Sequence, residues 1–198
     1  MLADREKYEV VNMGVGSRCM MKKCDFPYWD TDMYKWALIS EPDIVLLMLG
    51  ANDAKYYQWN QEEYHRDYIE MANIFLNMES KPELYLMVSP PLYRDGSYQM
   101  IKTVLNGVIP NLVPQIAAEL GLPPENVIDI FNALGGSALS GWNFYCDMRS
   151  CDDVHPNDSG YLHIASHVYK RLFLKPLPNG DWKPASLDVE GGEPWFVS

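Results

Sequence analysis

At 198 residues, 47% apolar and 22% charged, the chain has the size and composition of one soluble globular domain that can bury a core without staples. Its formal net charge of −11 argues against a nucleic-acid or anionic-membrane surface, which would need a basic stripe, and a plain solvated surface is the simpler account. The longest apolar run, IVLLML, is too short to span a bilayer, so no transmembrane segment is expected. The opening MLADREKYEVV has neither the apolar stretch of a signal peptide nor a transit-peptide composition, and no compartment follows.

In chain order, residues 8–14 (YEVVNMG) form a β-rich run ending in glycine. Residues 42–53 (PDIVLLMLGAND) read as a strand buried on both faces and closed by a turn. From Asn60, the spacing Tyr64, Tyr68, Met71, Ala72, Phe75 predicts an amphipathic helix, with Asn60 and Glu63 placed like a capping box. Residues 83–91 (ELYLMVSPP) and 126–131 (NVIDIF) repeat the strand pattern. Between them a helix starts near Pro110 and runs through Val113, Ile116, Ala117 and Leu120 to a stop at Gly121. A last helix spans residues 159–173, with Leu162, Ala165, Val168, Tyr169 and Leu172 inward. Residues 1–174 thus make one domain, and 175–198, rich in Pro, Gly and Asp, an irregular tail. Strands alternating with helices imply a parallel sheet, whose site lies at the strands' carboxyl ends.

Three pieces fall on that edge. In DDVH, the carboxylate of Asp152 can reach the imidazole of His155 across one turn, fixing its tautomer and stabilising the imidazolium. The same residues with Asp153 also read as a polar loop capping the next helix. In LGAND, the Asn52 amide can serve as an oxyanion donor, or simply shape a turn. In NMGVGS, Gly14 and Gly16 permit a tight turn that aims N–H groups at an anion. Four cysteines form two close pairs, Cys19 with Cys24 and Cys146 with Cys151, neither with C-x-x-C spacing, so no metal site is expected. Cys146 and Cys151 flank a short loop and suit a disulfide or free thiols. His163 and His167 have metal-ligand spacing on the last helix but no third ligand, and are placed on its polar flank. Tyr56, Tyr57 and Trp59, like Phe26, Tyr28 and Trp29, either line a sugar pocket or cover the sheet edge.

Taken together, VVNMGVGSRCMMKKCDFPYW, PDIVLLMLGAND, KPELYLMVSPP and CDDVHPNDSGYLHIA resemble the SGNH (GDSL-type) hydrolase superfamily, in its sialate or carbohydrate O-acetylesterase-like branch, over residues 10–174. The resemblance implies a flavodoxin-like α/β/α sandwich and cofactor-free serine-esterase chemistry on a small ester. His155 would be the base, Asp152 its orienting acid, and Asn52 with Gly16 and Ser17 the oxyanion hole. Two departures stand out. The Gly-Asp-Ser block that carries the family's serine is not found, and Ser17 stands where the family has glycine, at a position needing positive φ. Ser17, Ser89, Ser137, Ser140 and Ser150 are the alternatives on or near the edge, and none has glycine at both −2 and +2. The nucleophile is therefore unassigned and this exact chain is expected to be inactive. If residues 8–14 are the family's second strand, its first and central strand is missing. An upstream segment, a partner chain or the tail ending EPWFVS must fill that slot. The alternative reading is a non-catalytic subunit of a larger assembly built on the same fold.

Overall fold

The computed structural model describes residues 8–138, 143–145, 152–176 and 182–184. At its centre is a parallel three-stranded sheet, in the order β1 (Ile44–Leu47), β2 (Glu83–Val88), β3 (Val127–Asp129). Ile44 lies opposite Glu83 and Leu47 opposite Leu86, while Leu86 faces Val127 and Val88 faces Asp129. Parallel neighbours require crossovers. Here these carry α2 (Gln61–Leu76) and α3 (Ile109–Glu119), while α1 (Asp32–Ile39) precedes the sheet and α4 (Ile130–Ala133) and α5 (Asp158–Phe173) follow it.

The alternation of β2 creates the layers. Leu84, Leu86 and Val88 enter a large core shared with α2 and α3. Tyr85 and Met87 point the other way, into a second core with Ile128, Ile130 and Leu134, against which Ile164, Val168 and Leu172 of α5 lie. The result is an α/β/α sandwich, the expected fold class. Among the described residues no helix is long and apolar enough to cross a membrane.

Helix α2 forms as its sequence predicts. The Asn60 side chain accepts from the N–H groups of Glu62 and Glu63, both at 3.1 Å. Tyr64, Tyr68, Met71, Ala72 and Phe75 are all buried, and a large apolar side chain so placed contributes about 1.5–3 kcal/mol. The hydroxyls of Tyr64 and Tyr68 donate to the carbonyls of Leu49 (2.9 Å) and Leu47 (3.1 Å), tying the helix to the end of β1. Burial raises both phenols far above their ordinary range, so they remain donors. Pro110 sits in the first turn of α3, which a π-helical turn, Val104–Val108, extends upstream.

Four expectations require correction. Residues 8–14 are not a strand, and Val10 is 89% exposed. Among the described residues their β propensity finds no neighbouring backbone to pair with. Strand β1 is not buried on both faces, because its outer edge is unpaired among the described residues and Leu46 stays 42% exposed. On α5, Leu162 points outward at 63% exposure and Ile164 takes the inward place, i−4 from Val168. Finally, the irregular tail contains an antiparallel ribbon, β4 (Leu174–Pro176) with β5 (Trp182–Pro184). Proline is tolerated there because, among the described residues, each strand has one neighbour.

Candidate active site

The turn after β1 is shaped by Gly50. Its φ is +139°, and a Cβ there would lie 2.7 Å from the Tyr64 hydroxyl, so no other residue fits without displacing that side chain. The N–H of Ala54 closes the turn on the Gly50 carbonyl at 3.2 Å. This turn sends Asp53 inward and Asn52 toward the rim. Asp53 is fully buried and accepts from the N–H groups of Met20 (2.9 Å) and Met21 (2.7 Å). Burial pushes its carboxyl up to about 6, against those hydrogen bonds, with the Asp67 charge adding to the rise. One amide N–H of Asn52 donates to the Arg18 carbonyl at 3.2 Å, and Gln58 Nε2 donates to the Asn52 carbonyl at 2.7 Å. An amide nitrogen carries two hydrogens, so the first contact orients Asn52 and leaves the second for a ligand.

The glycine turn is therefore held against Asn52 by Asp53 and by Arg18. Gly14 N–H donates to Asn12 Oδ1 at 2.9 Å, Gly16 is exposed with open space where a Cβ would be, and Ser17 has φ +63°. The left-handed conformation expected at Ser17 is thus present, at the strain a non-glycine residue carries. Just beyond, Cys19 and Cys24 are joined in a disulfide. The adjacent ladder, Cys19 N–H to Phe26 O (3.1 Å) and Tyr28 N–H to Cys19 O (3.0 Å), pins the loop. Sequence spacing left this pairing open. Cys19, Cys24 and Asp25 bring sulfur and carboxylate atoms together, the one such cluster among the described residues, but bonded sulfurs offer no thiolate to a metal. The aromatic residues divide. Tyr28, Trp29 and Trp59 join the core, while Phe26, Tyr56 and Tyr57 are exposed beside this turn. The Arg18 guanidinium stands 5.6 Å above Phe26, and Lys55 bridges to Asp25 at 2.7 Å.

Asp152 and His155 meet as expected. His155 Nδ1 lies 2.5 Å from Asp152 Oδ2, and Asp152 Oδ1 accepts from the N–H groups of His155 (2.8 Å) and Val154 (3.0 Å). Partial burial would raise the Asp152 carboxyl, but the His155 N–H, its imidazole and the Val154 N–H outweigh it and hold the group well below the usual carboxylate range. The acid stays ionised, as an orienting carboxylate must. The neighbouring Asp153 is buried at φ +65° and takes the Arg94 Nε at 2.5 Å, while its carbonyl accepts from Tyr93 N–H at 3.2 Å. Sequence reasoning had left Asp153 in a capping loop and missed Arg94. It also missed Tyr98, whose hydroxyl donates to Asp152 Oδ2 at 3.2 Å. The signal available was the glycine-bearing turn RDGSYQ after β2.

Two clusters therefore stand on the carboxyl edge, Asn52 with the turn at Gly16 and Ser17, and Asp152 with His155. They are joined where Tyr56 N–H donates to Gln99 O (3.0 Å) and Ile101 N–H to Ala54 O (2.9 Å). Among the described residues no serine hydroxyl is bonded to His155. Ser17 and Ser137 are exposed and Ser89 is buried. Ser140, Ser150, Cys146 and Cys151 lie outside the described residues. His163 stacks on Phe144 with centroids 4.7 Å apart. His167, expected on the polar flank, is half-buried, and burial lowers its pKa.

Residues 3–168 match the model of the GDSL-like lipase/acylhydrolase family. An acetylxylan esterase of Xylanibacter ruminicola is 28% identical over an alignment of 179 positions that covers 81% of this chain. The chain spans about a third (35%) of that relative's length. Similar folds are a lipase/acylhydrolase from Enterococcus faecalis (TM-score 0.56, 21% identity, 78% of this chain and 70% of that one) and the acetyl xylan esterase AlAXEase (0.60, 14%, 84% and 82%). A third is Est24, a carbohydrate acetylesterase from Sinorhizobium meliloti (0.57, 13%, 82% and 77%). With the family model covering most of its length, and with the α/β/α sandwich it folds into, the chain belongs to the GDSL-like lipase/acylhydrolase family of SGNH hydrolases.

Proposed function

We propose that this domain hydrolyses small acyl esters, with an acetyl group carried by a carbohydrate as the substrate class. The observation that carries the reading is the 2.5 Å contact between His155 Nδ1 and Asp152 Oδ2, which turns Nε2 out as the free base. Nε2 takes the proton of a serine hydroxyl as its oxygen attacks the ester carbonyl. The oxyanion that forms is met by the second amide N–H of Asn52 and by the backbone N–H groups of Gly16 and Ser17. Collapse breaks the C–O bond, the imidazolium protonates the departing alcohol, and water repeats the sequence on the acyl-serine. The names of the relatives favour an acetylated sugar, and exposed Phe26, Tyr56 and Tyr57 offer it faces to stack on. No metal or organic cofactor takes part.

The scheme needs its serine at the outer edge of β1, beside Asn52, the edge that is unpaired among the described residues. The test is hydrolysis of p-nitrophenyl acetate and of acetylated xylo-oligosaccharides. His155→Ala is expected to lower kcat by about 10⁴-fold and Asn52→Ala by about 10²–10³-fold. Undiminished turnover in His155→Ala would sink the reading. A second reading, a non-catalytic subunit on this fold, is favoured by the lack of any described serine hydroxyl on His155. It predicts no ester hydrolysis even when the edge of β1 is occupied by a partner strand.

A further inference from the structure

The turn that follows β2 is held in an unfavourable conformation. Gly96 has φ +81°, as glycine permits, but Tyr98 and Gln99 follow at +50° and +66°. Two left-handed residues with side chains in succession are costly, and for a bulky aromatic residue such a φ is an outlier. The conformation is maintained from several sides. Gly96 N–H donates to Met100 O (3.0 Å), Met100 N–H to Ser97 O (3.0 Å), and Lys102 N–H to Asp95 Oδ1 (2.7 Å). Beyond these, the bridge between residues 54–56 and 99–101 clamps the turn to the segment just past Asn52.

Burial does not account for the strain, because Tyr98 remains 56% exposed. What the turn achieves is a placement. The Tyr98 hydroxyl reaches Asp152 Oδ2 at 3.2 Å, and its ring stands edge-on to the His155 imidazole with centroids 5.5 Å apart. Asp152 then has two donors on each oxygen, Val154 and His155 N–H on Oδ1, and His155 Nδ1 and Tyr98 Oη on Oδ2. A carboxylate has about four acceptor positions. All are filled, so it cannot rotate without losing a bond.

We propose that Tyr98 is a positioning residue, whose hydroxyl fixes the Asp152 carboxylate and through it the orientation of His155. The strained turn at residues 96–99 makes that orientation depend on the Asn52 segment. The inference rests on Asp152 and His155 acting as a pair. Among the described residues, Asp152 and Tyr98 are the titratable groups in contact with the imidazole, while Asp153 and Arg94 pair with each other.

Without the Tyr98 hydroxyl the Asp152 carboxylate loses one of its four bonds and can rotate, which loosens its hold on His155 Nδ1. The test is ¹H–¹⁵N NMR of the His155 ring in the full chain at one fixed pH, reading exchange of the Nδ1 proton in wild type, Tyr98→Phe and Asp152→Asn. His155→Gln identifies its signals among the four histidines. Asp152→Asn is expected to speed that exchange by about tenfold or more, since a charged acceptor is lost. Tyr98→Phe, which keeps the ring and removes the hydroxyl, is expected to speed it by roughly two- to threefold, a response that packing alone would not give. An exchange rate unchanged in Tyr98→Phe, with Asp152→Asn faster, overturns the role of Tyr98 and leaves the pair intact. No faster exchange in Asp152→Asn overturns the pair itself and the inference with it.

Discussion

Asp53 ties the turn at Asn52 to the segment that follows the glycine turn, and its energetics can be read through pH. Its carboxyl rises from an ordinary 3.8 to about 6 on burial, although Met20 and Met21 N–H groups bind it. Between about pH 4 and pH 6 the folded chain keeps a proton that the unfolded chain has released. Unfolding then liberates protons, so this group's contribution makes stability fall as pH rises through that window. Below pH 4 both states are protonated and the penalty vanishes. Above pH 6 it is complete, and roughly two units at about 1.4 kcal/mol each give about 3 kcal/mol. Asp53→Asn cannot titrate. It replaces one acceptor oxygen by an N–H donor facing a backbone N–H, which costs about 1–3 kcal/mol at every pH. Urea unfolding followed by tryptophan fluorescence from pH 4 to pH 7 isolates the titration, because all other carboxylates cancel between the two proteins. The wild-type advantage over Asp53→Asn should shrink by about 3 kcal/mol across the window. Parallel profiles, within about 0.5 kcal/mol, would refute the reasoning and mean that two N–H donors hold the buried charge without penalty.

Other substitutions report on single features. Ser17→Gly relieves the left-handed backbone at φ +63° and should add about 1 kcal/mol, seen as a rise in Tm of about 2–4 °C. An unchanged or lower Tm would show that the serine side chain offsets its strain. Gly50→Ala must displace the Tyr64 hydroxyl from Leu49 and should cost at least about 2 kcal/mol, read from the urea midpoint. Asn60→Ala removes the cap from two N–H groups of α2 and should cost about 1 kcal/mol in the same assay.

The sequence was most legible where one periodicity met one consistent environment. Tyr64, Tyr68, Met71, Ala72 and Phe75 form an unbroken 3.6-residue stripe, and all five are buried. Asp152 and His155 were legible for a similar reason, since three residues of chain suffice to bring their side chains together. Failures came where the outcome depends on distant backbone. Residues 8–14 have strand composition but no partner among the described residues, and composition does not report whether a neighbour is present. Leu162 and Ile164 are both apolar and two apart on α5, so which one turns inward depends on where β3 lies. Arg94 and Tyr98 were not legible because they reach Asp153 and Asp152 across more than fifty residues, through a turn whose left-handed conformation only Gly96 foreshadows.

The open edge of β1 also bears on how molecules of this protein behave toward one another. Among the described residues the outer edge of β1 is unpaired, and with exposed Leu46, and Met48 just beyond the strand, it offers any passing copy a template of backbone donors and apolar contacts. What opposes that encounter is long-range repulsion between bodies carrying a net charge of −11. Such repulsion is screened within about 8–10 Å at ordinary ionic strength, whereas pairing at the strand edge is not. Salt therefore sets the balance between dispersed molecules and stacked ones, with the charge acting as the guard of an edge that stays unpaired among the described residues.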